Sequence, residues 1–337
     1  MLQKTKIAEQ LANDRRIRRA VTQESFWWFL HLFFIHYLDY PLASFHEEMI
    51  HLAESDEYEM VVVMAFRESG KSTILNAAYA LWAILGRQQK KCVVIISNTQ
   101  IQARNHFANI KQELESNELL ANDLGPFRSD EDIWGTYSLE LQQLGAKIIS
   151  MSRGQSIRGL RHNKHRPDLI ICDDVEDTIH QSGLEQEELY RWFMGEVMPT
   201  GTENTKYIVL GNLIAETSLL MWLRKRINDG EQQKAVFRAY PFTDADGQRL
   251  WPQRFSTKHI VDEFKKKLPE DVWEREYLLQ ILPEWTIVLD TVCRTDMVNE
   301  KLPPEQIPII KKMQKYRILS PEVRESGIAL ARKEFSI

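Results

Sequence analysis

Cysteine is scarce, with three in 337 residues: Cys92, Cys172 and Cys293. They show neither pairing nor metal-ligand spacing, which argues against a disulfide framework and for a reducing compartment. Long apolar runs are also lacking. Phe26-Trp27-Trp28-Phe29-Leu30-His31-Leu32-Phe33-Phe34-Ile35 is the one suspicious stretch. It falls short of the ~20 apolar residues that span a bilayer, and His31 and His36 interrupt it. It reads as a buried aromatic helix or a docking surface, with an interfacial membrane helix as the alternative. The N-terminal stretch, charged through Arg19, has no signal-peptide layout. An excess of positive charge is absent: 43 Lys+Arg against 48 Asp+Glu give a net charge of -5. A globally basic nucleic-acid coat is thereby excluded, but a local basic groove is not. No internal repeat, low-complexity tract or serine or cysteine nucleophile motif is found. His162 and His165 have metal-like spacing but no further Cys or His partners, so no zinc site is expected.

What is present has ordinary globular composition, 43% apolar and 27% charged, and a length that suggests roughly two domains. Short continuous apolar runs mark strands buried on both faces. They are Met60–Met64, Cys92–Ser97, Lys147–Ile149, Leu169–Cys172 and Tyr207–Gly211. Helical patterns alternate with them: one around Ser44–Leu52, one from Ser72 to Leu85 closed by Gly86, and a long one from Thr99 to Leu120. Alternation of this kind predicts an α/β fold with a mostly parallel central sheet flanked by helices. From about Phe237 the pattern loosens into charged helical segments, Thr257–Lys267 and Asp271–Leu282, which suggest a small helical lid. The expected organisation is an N-terminal helical segment (1–44), a core (45–236), a lid (237–283) and a C-terminal tail (284–337).

The polar loop between the first strand and its helix is Ala65-Phe66-Arg67-Glu68-Ser69-Gly70-Lys71-Ser72. It fits the phosphate-loop pattern with Ala in the first Gly place, in the required strand–loop–helix context. Gly70 permits a tight backbone whose N–H groups converge on an anion at a helix N-terminus. Lys71 would contact β- and γ-phosphates, and the Ser72 hydroxyl would ligate Mg²⁺, a hard cation that wants oxygen. Arg67 can reach the γ-phosphate and stabilise charge developing in phosphoryl transfer, or it is a surface Arg paired with Glu68. The expected cofactor-binding set is Ala65, Arg67, Glu68, Ser69, Gly70, Lys71, Ser72 and Thr73, with ATP and Mg²⁺ as cofactors.

Leu169-Ile170-Ile171-Cys172-Asp173-Asp174-Val175-Glu176-Asp177 is an apolar strand ending in carboxylates. In P-loop enzymes the first such acid holds Mg²⁺ and a neighbouring acid orients the attacking water. Asp173 suits the metal role. Either Asp174, which is adjacent, or Glu176, which is longer, suits the second. Arg153, Arg158, Arg161, His162, Lys164, His165 and Arg166 form a locally basic segment. It could face nucleic-acid phosphates or lie at a subunit interface. Lys265-Lys266-Lys267 reads as a solvated helix face.

In order and spacing these blocks resemble the ATPase part of the large terminase subunit of tailed bacteriophages. The carrying residues are Phe45-His46-Glu47-Glu48-Met49, the Arg-containing phosphate loop and Ser156-Ile157-Arg158-Gly159-Leu160-Arg161. They continue with Arg166-Pro167-Asp168-Leu169 through Glu176, and with Val209-Leu210-Gly211-Asn212-Leu213-Ile214 before Ser218-Leu219-Leu220. The likeness runs from about Leu42 to Leu282. It implies a P-loop NTPase and an ATP-hydrolysing motor that drives double-stranded DNA into a procapsid. The implied partners are a portal protein, a small terminase subunit and further copies in a ring, in the cytoplasm of a bacterial host, with no membrane. Ser44, Phe45 and His46 lie where the family's adenine-side segment lies. Arg158 matches an Arg-Gly pair that can act in trans on a neighbour's ATP, with Arg161 as the alternative finger. Gly211-Asn212 matches the coupling segment, where Asn212 replaces the Thr of many relatives. Such subunits usually add an RNase H-like nuclease, which needs several Asp/Glu for two metals. No such set follows Leu282, where Asp290 and Asp296 are isolated, so nuclease activity is not expected of this chain. The competing readings are a helicase-like P-loop translocase and an inactive prophage remnant that only binds.

Overall fold

Six residues without a polar side chain, Met60–Ala65, form β1, and all six are buried. A computed structural model describes residues 14–128, 134–176 and 183–281. Up to Ile281 the chain clusters as one compact unit. The tail 284–337 with Asp290, Asp296 and Cys293, and also Asp177, lie outside the described residues.

The sheet has seven strands: β1, β2 (Cys92–Ser97), β3 (Ser138–Leu141), β4 (Ala146–Ser152), β5 (Leu169–Asp173), β6 (Lys206–Gly211) and β7 (Ala235–Tyr240). Their order is β3-β4-β2-β5-β6-β1-β7. Every neighbouring pair is parallel except β3 with β4. The α/β architecture expected from the sequence is therefore present.

Strand alternation divides the core into two faces. Val61, Val63, Val93, Ile95, Leu169, Ile171, Ile208 and Leu210 share one apolar cluster with the N-terminal helices. Met60, Val62, Val94, Ile96, Ile170, Cys172 and Val209 share the other. Helices α1 (Arg15–Glu24), α2 (Phe26–Phe33), α3 (Ser44–Glu54) and α4 (Tyr79–Leu85) contribute to the first side, with a π-helical turn over Thr73–Ala78 leading into α4. The aromatic run is a helix over Phe26–Phe33 with one face buried, while Trp28 and Ile35 remain exposed. Phe26, Phe29, Leu30 and Phe33 are at most 1% exposed, and the Phe26 ring meets Tyr79 at 5.3 Å and Trp82 at 5.5 Å.

The single helix expected over Thr99–Leu120 is two, α5 (Gln100–Ser116) and α6 (Glu118–Leu124). Asn117 breaks it. Its backbone is extended, its Oδ1 accepts from Leu120 N–H at 3.0 Å, and its Nδ2 donates to Phe33 O at 2.6 Å. An Asn amide that caps the next helix outcompetes continuation of the first. On the opposite face run α7 (Gly183–Trp192), a π-turn over Phe193–Val197, α8 (Met198–Thr200) and α9 (Leu219–Asn228).

The boundary expected between 236 and 237 falls inside β7, which pairs with β1 through Tyr240. Half-buried and carrying Arg238, this edge strand lacks the continuous apolar run of a central one. Beyond it lie α10 (Lys258–Lys265) and α11 (Glu270–Glu276). The latter is shorter than the Asp271–Leu282 pattern suggests, since Leu279 takes a left-handed φ of 54°. Phe242, Trp251, Phe255, Trp273 and Tyr277 are buried here. They join the first core through contacts such as Phe66–Phe242 at 5.5 Å.

Candidate active site

The strand order brings three loops from distant parts of the chain to one edge. The phosphate loop follows β1, the acidic segment follows β5, and Asn212 follows β6, which lies between those two strands. Within the loop, Glu68 and Gly70 both take left-handed backbone, with φ of 65° and 82°. Glycine takes this conformation freely; Glu68 does so at a cost of order 1 kcal/mol. Alternation of this kind turns successive N–H groups toward one concavity. Helix geometry resumes at Lys71, so the unpaired amides of the first helical turn open into the same place.

His46 braces the loop from beneath. It is fully buried, its Nδ1 accepts from Ala43 N–H at 2.9 Å, and its Nε2 lies 2.7 Å from Ser69 O. Since Nδ1 is the acceptor, Nε2 carries the proton and donates it to the carbonyl. Burial lowers the His46 pKa to about 4. Phe45 is 4% exposed and packs on Phe66, Tyr240 and Trp251. Both residues were expected on the adenine side. Instead they sit on the inward face of α3, where an aromatic pair is better placed in the core than in an open cleft.

The charged groups converge. Lys71, 7% exposed, donates to Asn212 Oδ1 at 2.5 Å and stands 3.8 Å from Asp174 Oδ1. Asp173 is buried at the end of β5. Its Oδ1 accepts from Ser72 Oγ at 3.0 Å and its Oδ2 from Asn76 Nδ2 at 2.9 Å. Asp174 takes a left-handed φ of 47° and its N–H bonds to Leu210 O at 3.0 Å. Gly211 lets Leu220 approach closely: a Cβ there would lie 2.8 Å from Leu220 Cδ1, so that side chain would have to shift. Glu176 is committed elsewhere. Its Oε1 accepts from Leu219 N–H at 2.7 Å, capping α9, and burial raises its pKa to about 7.

Arg67 does not pair with Glu68. Its Nη1 donates to Glu276 Oε2 at 2.7 Å, while Arg254 takes Glu68. The Arg67 amide also donates to Glu276 O at 2.9 Å. Ala65 is buried at the loop's entry, and Thr73 opens the π-turn. Arg158 is not gathered into this site. It lies on the loop between β4 and β5, with its side chain 71% exposed and 3.5 Å from Glu196. Strand β4 is four positions from β1 in the sheet, or about 19 Å at ~4.8 Å per strand. Arg158, Arg161, Arg166, Glu196, Pro199 and Thr200 line a groove of about 740 Å³.

Four contributors escaped sequence reasoning: Asn76, His106, Arg254 and Glu276. Only Asn76 carried a signal, as a lone amide inside Ile74-Leu75-Asn76-Ala77-Ala78.

The residues present fit a divalent cation. Ser72 and Asp173 supply hard oxygens in contact, and the buried Ser69 Oγ, Asn76 Oδ1 and Ser97 Oγ have no hydrogen-bond partner among the described residues. No group of three His, Cys, Asp or Glu among the described residues could hold a metal alone. A cation here therefore depends on phosphate and water oxygens, as Mg²⁺ in nucleotide sites does.

No protein-family model matches this sequence, and no curated protein does. Among solved structures, the chain is similar to the large terminase of bacteriophage HK97. Identity is 18% and the TM-score 0.50, over 74% of this chain and 54% of that one. What the two share at this level is the fold, an α/β domain with a mostly parallel sheet flanked by helices. The chain is also similar to the large terminase ATPase domain of Thermus phage P74-26, at 15% identity and a TM-score of 0.49 over 74% and 98% of the two chains. For the large terminase of a second thermophilic bacteriophage the values are 11% and 0.47 over 71% and 53%. The chain thus spans about half the length of the HK97 protein and of the last of these.

Proposed function

We propose that this chain hydrolyses ATP with Mg²⁺ and uses the energy to move double-stranded DNA into a procapsid. The observation that carries the catalytic part is the convergence of Lys71, Ser72, Asp173, Asp174 and Asn212 at one sheet edge. Lys71 exchanges Asn212 for the β- and γ-phosphates when ATP enters. Ser72 and Asp173 would hold Mg²⁺, which when bound would supply positive charge against the phosphate oxygens. Asp174 positions the attacking water, since Glu176 is occupied at the start of α9. Arg67 reaches the γ-phosphate only by giving up Glu276. Asn212, freed from Lys71, reports phosphate occupancy to the segment after β6.

The motor part rests on the terminase-like fold and the basic groove. Arg158 pairs with Glu196 rather than with the phosphate-loop residues of its own chain, and on the family resemblance it acts on a neighbouring copy, with Arg161 as the alternative. A ring of copies on a portal, joined by a small terminase subunit, follows from the resemblance, and so does the cytoplasm of a bacterial host. Among the described residues no helix is long and apolar enough to cross a membrane.

The test is phosphate release by the purified chain with and without double-stranded DNA. Lys71→Ala should abolish turnover while circular dichroism stays unchanged. Arg158→Ala should lose DNA-stimulated turnover, and mixing it with Lys71→Ala should restore part of it. Full activity of Lys71→Ala would sink the catalytic assignment. Normal turnover of Arg158→Ala alone would sink the trans role.

A further inference from the structure

We propose that Asn76 is a positioning residue, anchored by His106, that keeps the Asp173 carboxylate oriented toward a divalent cation. The inference rests on the ATPase reading above and deepens it.

Asn76 is fully buried within an otherwise apolar helical stretch. A buried amide is costly unless hydrogen-bonded, so its partners explain its presence. A carboxylate can only accept, so the bond to Asp173 Oδ2 fixes the Asn76 amide with its NH₂ facing the acid. The NH₂ also lies 3.2 Å from His106 Nδ1. That nitrogen accepts the second amide hydrogen, which puts the imidazole proton on Nε2. His106 itself stands 3.8 Å from Asp173 Oδ2.

Each Asp173 oxygen is therefore held by a donor from the same segment, Ser72 on Oδ1 and Asn76 on Oδ2. The terminal torsion of an aspartate is otherwise broad. The Ser72 hydroxyl can offer a lone pair to a cation while its O–H still donates to Asp173 Oδ1. Asn76 holds the other oxygen, and the two donors together fix the carboxylate plane. The π-helical turn over Thr73–Ala78 supports the assignment. Such turns are rare, are concentrated at functional sites, and here coincide with the residue that reaches back to the acid.

The experiment uses the full chain, Mn²⁺ as a paramagnetic probe, and a non-hydrolysable ATP analogue. Mn²⁺ affinity is read by electron paramagnetic resonance, and ADP affinity is read separately in EDTA. Asn76→Leu, which keeps volume but removes the amide, should weaken Mn²⁺ binding about 10-fold, the usual effect of losing an outer-shell partner. Its ADP affinity in EDTA should stay within about twofold of wild type. His106→Ala, at a partly exposed site, should weaken Mn²⁺ about threefold, and it decides the question if Asn76→Leu does not fold. Unchanged Mn²⁺ affinity in the folded variants overturns the proposal and leaves the ATPase reading standing. An equal loss of metal-free ADP binding also overturns it, since that is what a merely structural Asn76 would produce. A wild-type chain that binds neither nucleotide nor Mn²⁺ overturns both.

Discussion

Lys71 and Asn212, 141 positions apart in sequence, are joined by a 2.5 Å hydrogen bond from Nζ to Oδ1. The bond ties the phosphate loop to the strand that separates it from the acidic segment. Asn212→Ala leaves the ammonium facing only Asp174, 3.8 Å away. Turnover should fall by up to about 100-fold, the lower end of the range for a lost charge-stabilising donor, since Asn212 acts through Lys71. The melting temperature should fall as well, because Lys71 is only 7% exposed and loses its acceptor. Steady-state phosphate release with parallel calorimetry checks both.

Glu176 gives a pH signature. Its folded pKa, raised from 4.5 to about 7 by burial, means the folded state holds the proton more tightly than the unfolded one. Stability therefore falls as pH rises from about 4.5 through 7, and the full cost is present above 7. Glu176→Gln keeps an acceptor for Leu219 N–H and cannot ionise. It should be more stable than wild type by about 1–2 kcal/mol at pH 8, less than the full shift because the group is only partly buried. It should match wild type near pH 4.5. The same variant should keep most turnover, whereas Asp174→Asn should lose it. Urea denaturation across pH and phosphate release test the pair.

His46 titrates in the opposite sense. Its pKa, lowered from 6.5 to about 4, makes the neutral ring the folded form. That contribution is whole above pH 6.5 and is lost as pH falls toward 4. His46→Phe removes the partners of Ala43 N–H and Ser69 O. It should cost about 2–3 kcal/mol at pH 7.5, flatten the acid limb of the stability curve, and weaken ATP binding through the loosened loop. Denaturation at pH 7.5 and 5, with nucleotide titration, decides this.

Arg18 meets the fully buried Asp123 through two bonds, Nε to Oδ2 at 2.7 Å and Nη2 to Oδ1 at 2.8 Å. Arg18→Ala strands a charge in the interior and should destabilise the fold by about 3 kcal/mol. Arg18→Ala combined with Asp123→Leu should recover most of that. Chemical denaturation of the single and double variants measures it.

β1, β2, β5 and β6 were readable because each is buried on both faces and is written largely as an apolar run. β3 and β7 were not, since Ser138–Leu141 and Ala235–Tyr240 are edge strands with mixed residues. The site divides along the same line. Lys71, Ser72 and Asp173 sit at fixed offsets from strand ends, so local pattern finds them. Glu276 reaches Arg67 across 209 positions, and no local signal marks such a contact. His46 shows the reverse error. A residue adjacent in the motif to the nucleotide segment is used from below, as a brace, because its face of α3 points into the core.

The clasp between the phosphate loop and the 242–277 segment is built from two kinds of bond. Arg67–Glu276 and Arg254–Glu68 are ionic and lie near the surface, with the Arg67 side chain 62% exposed. The main-chain bond from Arg67 N–H to Glu276 O is neutral. Dissolved salt shortens the reach of the first kind from about 10 Å at 0.1 M to 3 Å at 1 M and leaves the second untouched. Ionic strength thus acts unevenly on this joint: it weakens the charged contacts, of which Arg67–Glu276 at 2.7 Å is not broken by it, and leaves the backbone seam unchanged.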